Sequence, residues 1–312
     1  MNWAIELEAL TKRFGQVLAL DRLTFKVQEG DITGFIGPNG SGKTTTMRVL
    51  ATLLSPDSGS AKVFGQLTHD AASASRVRAR IGFVPDYFGL YNDMTPTEYL
   101  DFFGAAYRIP SKKRPGLVKD ILALLNLSAK GDTLIQGLSR GMQQKLSLGR
   151  ALIHSPDLLI LDEPASGLDP RARIELMELL RELKTMGKTL FVSSHILGEL
   201  HNLCDQVVIL EKGRAVYTGG LEEASEGLWG GRRVLQIRPA DPTQAVEETI
   251  RQLPGVISVV KRKDSFLIEY ETSVRSPDLI EGCVKSGIRL MEAKLATPHL
   301  EEIFMRLTEA EE

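Results

Sequence analysis

Gly37-Pro38-Asn39-Gly40-Ser41-Gly42-Lys43-Thr44-Thr45 follows the spacing G-x-x-x-x-G-K-[ST], the pattern of a phosphate-binding loop. Each residue type has a physical task there. Glycines let the backbone wrap closely and adopt positive φ. Successive N–H groups then converge on phosphate oxygens, helped by the N-terminus of the helix that follows. Lys43 reaches the β and γ phosphates, and Thr44 offers its hydroxyl to Mg²⁺.

Carboxylates come next. Leu158-Leu159-Ile160-Leu161 is an uninterrupted apolar run that ends in Asp162-Glu163. Such a run suits a central parallel strand buried on both faces, and the carboxyl end of that strand is where α/β sheets place ligands. Asp162 can hold Mg²⁺ directly or through water, and Glu163 can take a proton from an attacking water. His195 ends the apolar run Thr189 to Ser194, so it can face the same crevice. A histidine at a strand end is more often a packing or surface residue. His69, His154, His201 and His299 have no comparable placement and are read as structural. Ser139 opens a helix that runs to His154, with Gly141 in its first turn; it is a cap that also leaves an anion-ready terminus. Phe14 is expected at the tip of a turn over Thr11 to Val17, where it either stacks on a base or packs in the hairpin.

These groups need elements to position them. Residues 5 to 30 alternate apolar and polar positions, the period of half-buried strands. Ile32 to Ile36 is a strand entering the loop, and Thr44 to Leu54 a helix leaving it. Pro56 to Gly59 is a turn, Ala61 to Phe64 a strand, and Ile81 to Pro85 another that stops at Asp86. From Thr95 the pattern is helical: Thr95 is the cap, Pro96 the first helical residue, and Glu98 completes a capping box. Val118 to Leu127 is a second helix, so residues 87–150 form a mostly helical insert in an α/β core. Ala172 to Lys184 is an amphipathic helix, and Val207 to Tyr217 a hairpin that closes the sheet. The core domain spans 1–220, with 221–231 as a glycine-bounded linker. Over 232–312 a second pattern, β-α-β-β-α-β, reads as a small α+β domain of the split βαβ, ferredoxin-like kind. Leu300 to Leu307 ends the chain as an amphipathic helix, for self-packing or a partner.

The 312 residues are 43% hydrophobic and 25% charged, with a formal net charge of −2. That composition is ordinary for a soluble protein, and nothing in it argues for bulk attraction to nucleic acid or anionic lipid. Cys204 and Cys283 are the only two cysteines and form no CxxC, so a disulfide scaffold or zinc site is not expected and a reducing cytosol is the simplest home. Met1 to Glu8 carries acids where a signal peptide needs apolar residues. No run of ~18 apolar residues is present to span a bilayer.

Taken in order, GPNGSGKTT, LSRGM, LLILDEP, SGLD and His195 resemble the ATP-binding subunit of ABC transporters, over residues 5–220. They look like the Walker A loop, the LSGGQ signature, Walker B with its catalytic glutamate, the D-loop and the switch histidine. Phe14 looks like the aromatic that stacks on adenine. The resemblance implies a P-loop NTPase of the ABC type with an antiparallel β-subdomain. It implies ATP and Mg²⁺, the latter held by Thr44, Asp162 and Asp86. It implies catalysis by Glu163 and His195, and a head-to-tail homodimer in which Ser139 and Gly141 of one copy complete the other's site. It also implies an integral-membrane permease as partner, met through the surface from Asp86 to Thr95 with Tyr87, Phe88, Leu90 and Tyr91, and a place on the cytoplasmic face of the membrane. The tail, through Leu300-Glu301-Glu302-Ile303-Phe304, is similar to the regulatory extension of bacterial exporter ATPases. Three positions depart: Asp86 stands where the family usually has Gln, and Arg140 and Met142 replace Gly and Gln of the signature. Two other classes remain open. One is a soluble ABC-type mechanoenzyme for DNA repair or ribosome work, against which stand the single cassette and the lack of a heptad run or basic tract. The other is a regulatory nucleotide binder that does not hydrolyse, against which stand Glu163 and His195.

Overall fold

The computed structural model describes residues 2–87, 89–195, 203–220, 233–271 and 273–295. The chain falls into two compact units, Met1–Thr218 and Gly219–Glu312.

In the first unit an antiparallel sheet has the order β2-β1-β4-β5, built from β1 (Trp3–Phe14), β2 (Val17–Gln28), β4 (Ser58–Val63) and β5 (Gln66–Leu67). Beside it lies a six-stranded sheet of order β10-β9-β3-β8-β7-β6. Its members are β3 (Ile32–Ile36), β6 (Ile81–Val84), β7 (Leu158–Leu161), β8 (Thr189–Ser194), β9 (Gln206–Glu211) and β10 (Arg214–Gly220). Strands β9, β3, β8, β7 and β6 pair in parallel. Every residue of β3, β7 and β8 is buried, which explains why these strands read as unbroken apolar runs. One core joins the two sheets. Phe25 of β2, Phe35 of β3 and Phe191 of β8 meet with ring centroids 4.9 to 5.8 Å apart, an arrangement worth roughly 0.5–1.5 kcal/mol per pair beyond area burial.

The helices are α1 (Lys43–Leu50), α2 (Ala71–Arg80), α3 (Pro96–Ala106), α4 (Arg114–Leu124), α5 (Arg140–Leu152) and α6 (Pro170–Thr185). Thr95 and Glu98 form the expected capping box on α3. Elsewhere the elements differ from the sequence reading. The first helix stops at Leu50 rather than Leu54, because Thr52 turns to φ 62°. The turn around Phe14 shrinks to Gly15-Gln16, with Phe14 paired to Val17 as the last residue of β1. Helix α4 starts four residues early, at Arg114, with a proline in its first turn. Helix α2 was not anticipated: it buries only Ser73, Ala74 and Val77, too narrow a stripe to show as periodicity. The glycines at 219 and 220, read as a break, finish β10.

The second unit runs β11 (Arg233–Pro239), α7 (Gln244–Arg251), β12 (Val256–Arg262), β13 (Ser265–Tyr270), α8 (Ser276–Lys285) and β14 (Leu290–Leu295). The sheet order is β12-β13-β11-β14, antiparallel throughout. This is the expected β-α-β-β-α-β order, with the first and third strands central. Its own core gathers Leu235, Ile237, Ile250, Phe266, Ile268 and Leu279. The helix expected over Leu300 to Leu307, the linker at 221–231, and Phe88, His201 and His299 lie outside the described residues.

Candidate functional site

The loop from Gly37 to Gly42 leaves the carboxyl end of β3, between β8 and β9. Its glycines are required by space. A Cβ on Gly37 would lie 2.4 Å from the Leu210 carbonyl oxygen. Gly42 has φ 110°, and a Cβ there would lie 2.7 Å from the Ala19 oxygen. Ser41 accepts from Gly213 N through its carbonyl (3.0 Å), while its buried hydroxyl has no hydrogen-bond partner among the described residues. Lys43 opens α1 and is 6% exposed. Its ammonium donates to the carbonyls of Gly37 (2.6 Å) and Pro38 (3.2 Å) and lies 3.4 Å from Glu163 Oε1.

The acids arrive on β7. Asp162 is buried, accepting from Ser193 Oγ at 2.9 Å and hydrogen-bonding the Thr44 hydroxyl. Burial pushes its carboxyl above the ordinary range, and the charges of Glu163 and Asp86 add to that; the bonds from Ser193 and Thr44 oppose it. Glu163 takes φ 49°, a left-handed backbone that is costly for a non-glycine residue. Its amide donates to Ser193 Oγ at 2.9 Å. Its carboxylate accepts from His195 Nδ1 at 2.7 Å. A carboxylate only accepts, so the hydrogen sits on Nδ1 and His195 Nε2 is left for another partner.

A cleft of about 320 Å³ gathers Asn39, Gly40, Gly42, Lys43, Thr44 and Thr45 with Asp86, Glu163 and His195. The structure thus brings together most of the residues singled out in the sequence, including Asp86. Gly37, Pro38, Ser41 and Asp162 are not lining residues but belong to the loop and the strand end that carry them, with Gly37 and Pro38 bonded by Lys43 and Asp162 by Thr44; Phe14, Ser139 and Gly141 are not among the lining residues either. Phe14 is half exposed at the end of β1, with Lys12 Nζ 5.7 Å from its ring centre. Half of its ring is thus open to a ligand. Ser139 caps α5, accepting from Met142 N at 3.3 Å, and is otherwise exposed.

Three contributors were missed in the sequence. Ser193 bridges Asp162 and the Glu163 amide; its signal was a serine pair ending an apolar strand in register with β7. Ala19 lines the cleft and carries no sequence signal, whereas Ser166 lines it from the SGLD motif, where the sequence reading assigns that serine no place in the site.

The residues fit a triphosphate and its cation. Glycine-built backbone, one ammonium and one unpartnered hydroxyl suit phosphate oxygens. Asp86 and Glu163 line the cleft with Lys43 beside Glu163, and burial raises the Asp162 carboxyl, with the charges of Glu163 and Asp86 adding to that; a divalent cation there would favour the ionised carboxylates. Among the described residues no three His, Cys, Asp or Glu are grouped to hold a metal. A cation held by Thr44 and Asp162 would thus take the rest of its shell from phosphate and water, as Mg²⁺ commonly does.

Comparison with known proteins agrees. The family described as ABC transporter matches residues 20–166. The chain is 32% identical over 307 residues to the ABC transporter ATP-binding protein YxlF of Bacillus subtilis (strain 168), covering 98% of this chain and 100% of that one. It is 35% identical over 306 residues to the Nod factor export ATP-binding protein I of Burkholderia lata, covering 97% and 96%. Among solved structures it is similar to an ATP-binding subunit of an ABC transporter, with TM-score 0.65, 30% identity and coverage of 73% and 93%. It is also similar to an ATP-binding cassette solved as a dimer in a post-hydrolysis state with ADP and Pi, with TM-score 0.63, 25% identity and coverage of 69% and 98%.

Proposed function

This chain belongs to the ATP-binding proteins of ABC transporters, and from that premise we propose how it works. It binds ATP with Mg²⁺ in the cleft, hydrolyses it, and through ATP-driven pairing of two copies powers a separate membrane permease in the direction of export. The observation that carries the reading is the Glu163 carboxylate, held between Lys43 and His195 in the cleft lined by the phosphate loop.

Lys43 and the loop amides hold the β and γ phosphates. Thr44, Asp162 and Asp86 hold Mg²⁺, which when bound supplies charge neutralisation at the phosphates. Glu163 orients the attacking water and takes its proton; its left-handed backbone, fixed by Ser193, sets the direction of the carboxylate. His195 bonds Glu163 through Nδ1 and meets the γ-phosphate with Nε2. Phe14, half exposed, stacks on adenine. Ser139 and Gly141 of a second copy complete the site, and their absence from the lining of this chain's own cleft supports that arrangement. The cassette solved as a dimer supports pairing, and the relative named for Nod factor export supports outward transport. The protein then works from the cytoplasmic face as a peripheral subunit, with residues 232–312 as an accessory, regulatory domain behind the 221–231 linker.

Purified Glu163→Gln tests the reading. Loss of the base lowers ATP turnover by about 10²-fold or more, while ATP binding persists and the protein accumulates as a dimer. Hydrolysis at the wild-type rate contradicts the role given to Glu163.

A further inference from the structure

Arg140 is the first residue of α5, directly after the capping Ser139. A cation opposes the dipole at a helix N-terminus, so local preference does not account for it. Its contacts do. One guanidinium nitrogen, Nη2, donates to the Ser166 carbonyl at 3.2 Å. The guanidinium also lies over Gly167, where a Cβ would come within 2.9 Å of its Cζ and Nε. Gly167 has φ +67°, so the loop after β7 presents bare backbone for a flat arginine to cover. The seam continues along the helices. A Cβ on Gly141 would lie 2.8 Å from Ala172 Cβ, and Lys145 pairs with Glu175 at 2.6 Å. Asp169 caps α6 through the amides of Arg171 and Ala172. The start of α5 and the loop 166–169 therefore form one locked unit, and Ser166 of that unit lines the nucleotide cleft.

We propose that Arg140 is a positioning residue that couples the two ATP sites of the paired protein: it ties the loop beside one chain's own cleft to the signature serine that this chain offers its partner's triphosphate. The inference rests on the paired-site reading above. Nucleotide in one cleft shifts Ser166, Arg140 carries the shift to Ser139, and the second site is set by the state of the first.

The test compares full-length wild type, Arg140→Ala and Arg140→Lys. ATP hydrolysis is measured against ATP concentration, with melting temperature as the control for folding. Wild type is expected to respond cooperatively, with a Hill coefficient above one. Arg140→Ala is expected to lose that cooperativity and about 5-fold or more of kcat, with KM and melting temperature near wild type. Arg140→Lys, which keeps the charge and a donor, is expected to recover part of both. Cooperative wild type with Arg140→Ala equal to it overturns the coupling role and leaves pairing intact. A raised KM alone, with kcat and cooperativity unchanged, also overturns it, because Arg140 then serves nucleotide binding only. A non-cooperative wild type overturns the paired-site reading and this inference with it.

Discussion

Asp162 is held in the fold against its own electrostatic preference. Burial outweighs the hydrogen bonds from Ser193 and Thr44, so its carboxyl titrates above the ordinary carboxylate range. A carboxyl raised in this way favours the folded state only below its unfolded value, and that contribution is lost as pH rises through the folded value. Above the raised range the ionised group therefore weakens the nucleotide-free fold. Asp162→Asn is expected to raise the melting temperature by a few degrees at mildly alkaline pH. The gain should shrink as pH falls through the raised range toward the ordinary carboxylate value. The same variant should lose Mg²⁺-dependent ATP binding. Calorimetry across pH checks this, and an unchanged or lower melting temperature at alkaline pH contradicts it. At this scale residue types were legible in the sequence and backbone was not. Lys43, Asp162 and Glu163 were readable from spacing alone, whereas the φ of 49° at Glu163 and the Ser193 bridge come from two strands meeting in register.

Elements were legible where their ends carry chemistry. Thr95-Pro96-Glu98 marked the start of α3 because the capping box is written in side chains, and Ser139 likewise marks α5; Asp169 caps α6, which starts at Pro170 and not at Ala172 as the sequence reading has it. Helix α2 was invisible because its buried face is narrow, only Ser73, Ala74 and Val77, although Asp70 caps it in the usual way through Ser73 N. The segment before α3 carries the aromatic surface anticipated for the permease. Tyr87 is 85% exposed, and Tyr91 is half exposed while its ring meets Tyr99, Phe102 and Phe103. Tyr91 is thus both anchored in the insert and presented to solvent, which is how interface aromatics are commonly built. Leu90→Ala with Tyr91→Ala should leave ATP turnover of the purified chain within about two-fold, since neither residue lines the cleft. Co-purification with the permease, and transport, should fall away. Intact transport with this double variant contradicts the assigned contact.

For the whole molecule, the sequence held the architecture because each level agreed with the next. Unbroken apolar runs gave the parallel strands, and alternating ones the antiparallel sheet. A change of pattern after the hairpin gave the second unit, whose strand order places β11 and β13 at the centre. In the proposed reading, half of the active site comes from a second copy. Ser139 and Gly141 sit at the start of α5, and neither lines the cleft built by the phosphate loop. The account therefore requires two copies, each lending its signature to the other. A mixing experiment tests that most directly. Lys43→Ala removes the cleft's ammonium but leaves the signature intact; Ser139→Arg obstructs the signature but leaves the cleft intact. Each variant alone should hydrolyse ATP poorly, and mixing the two should restore turnover, because the mixed pair contains one complete site. If the mixture stays as inactive as its parts, or Ser139→Arg alone turns over like wild type, the site is not shared between copies.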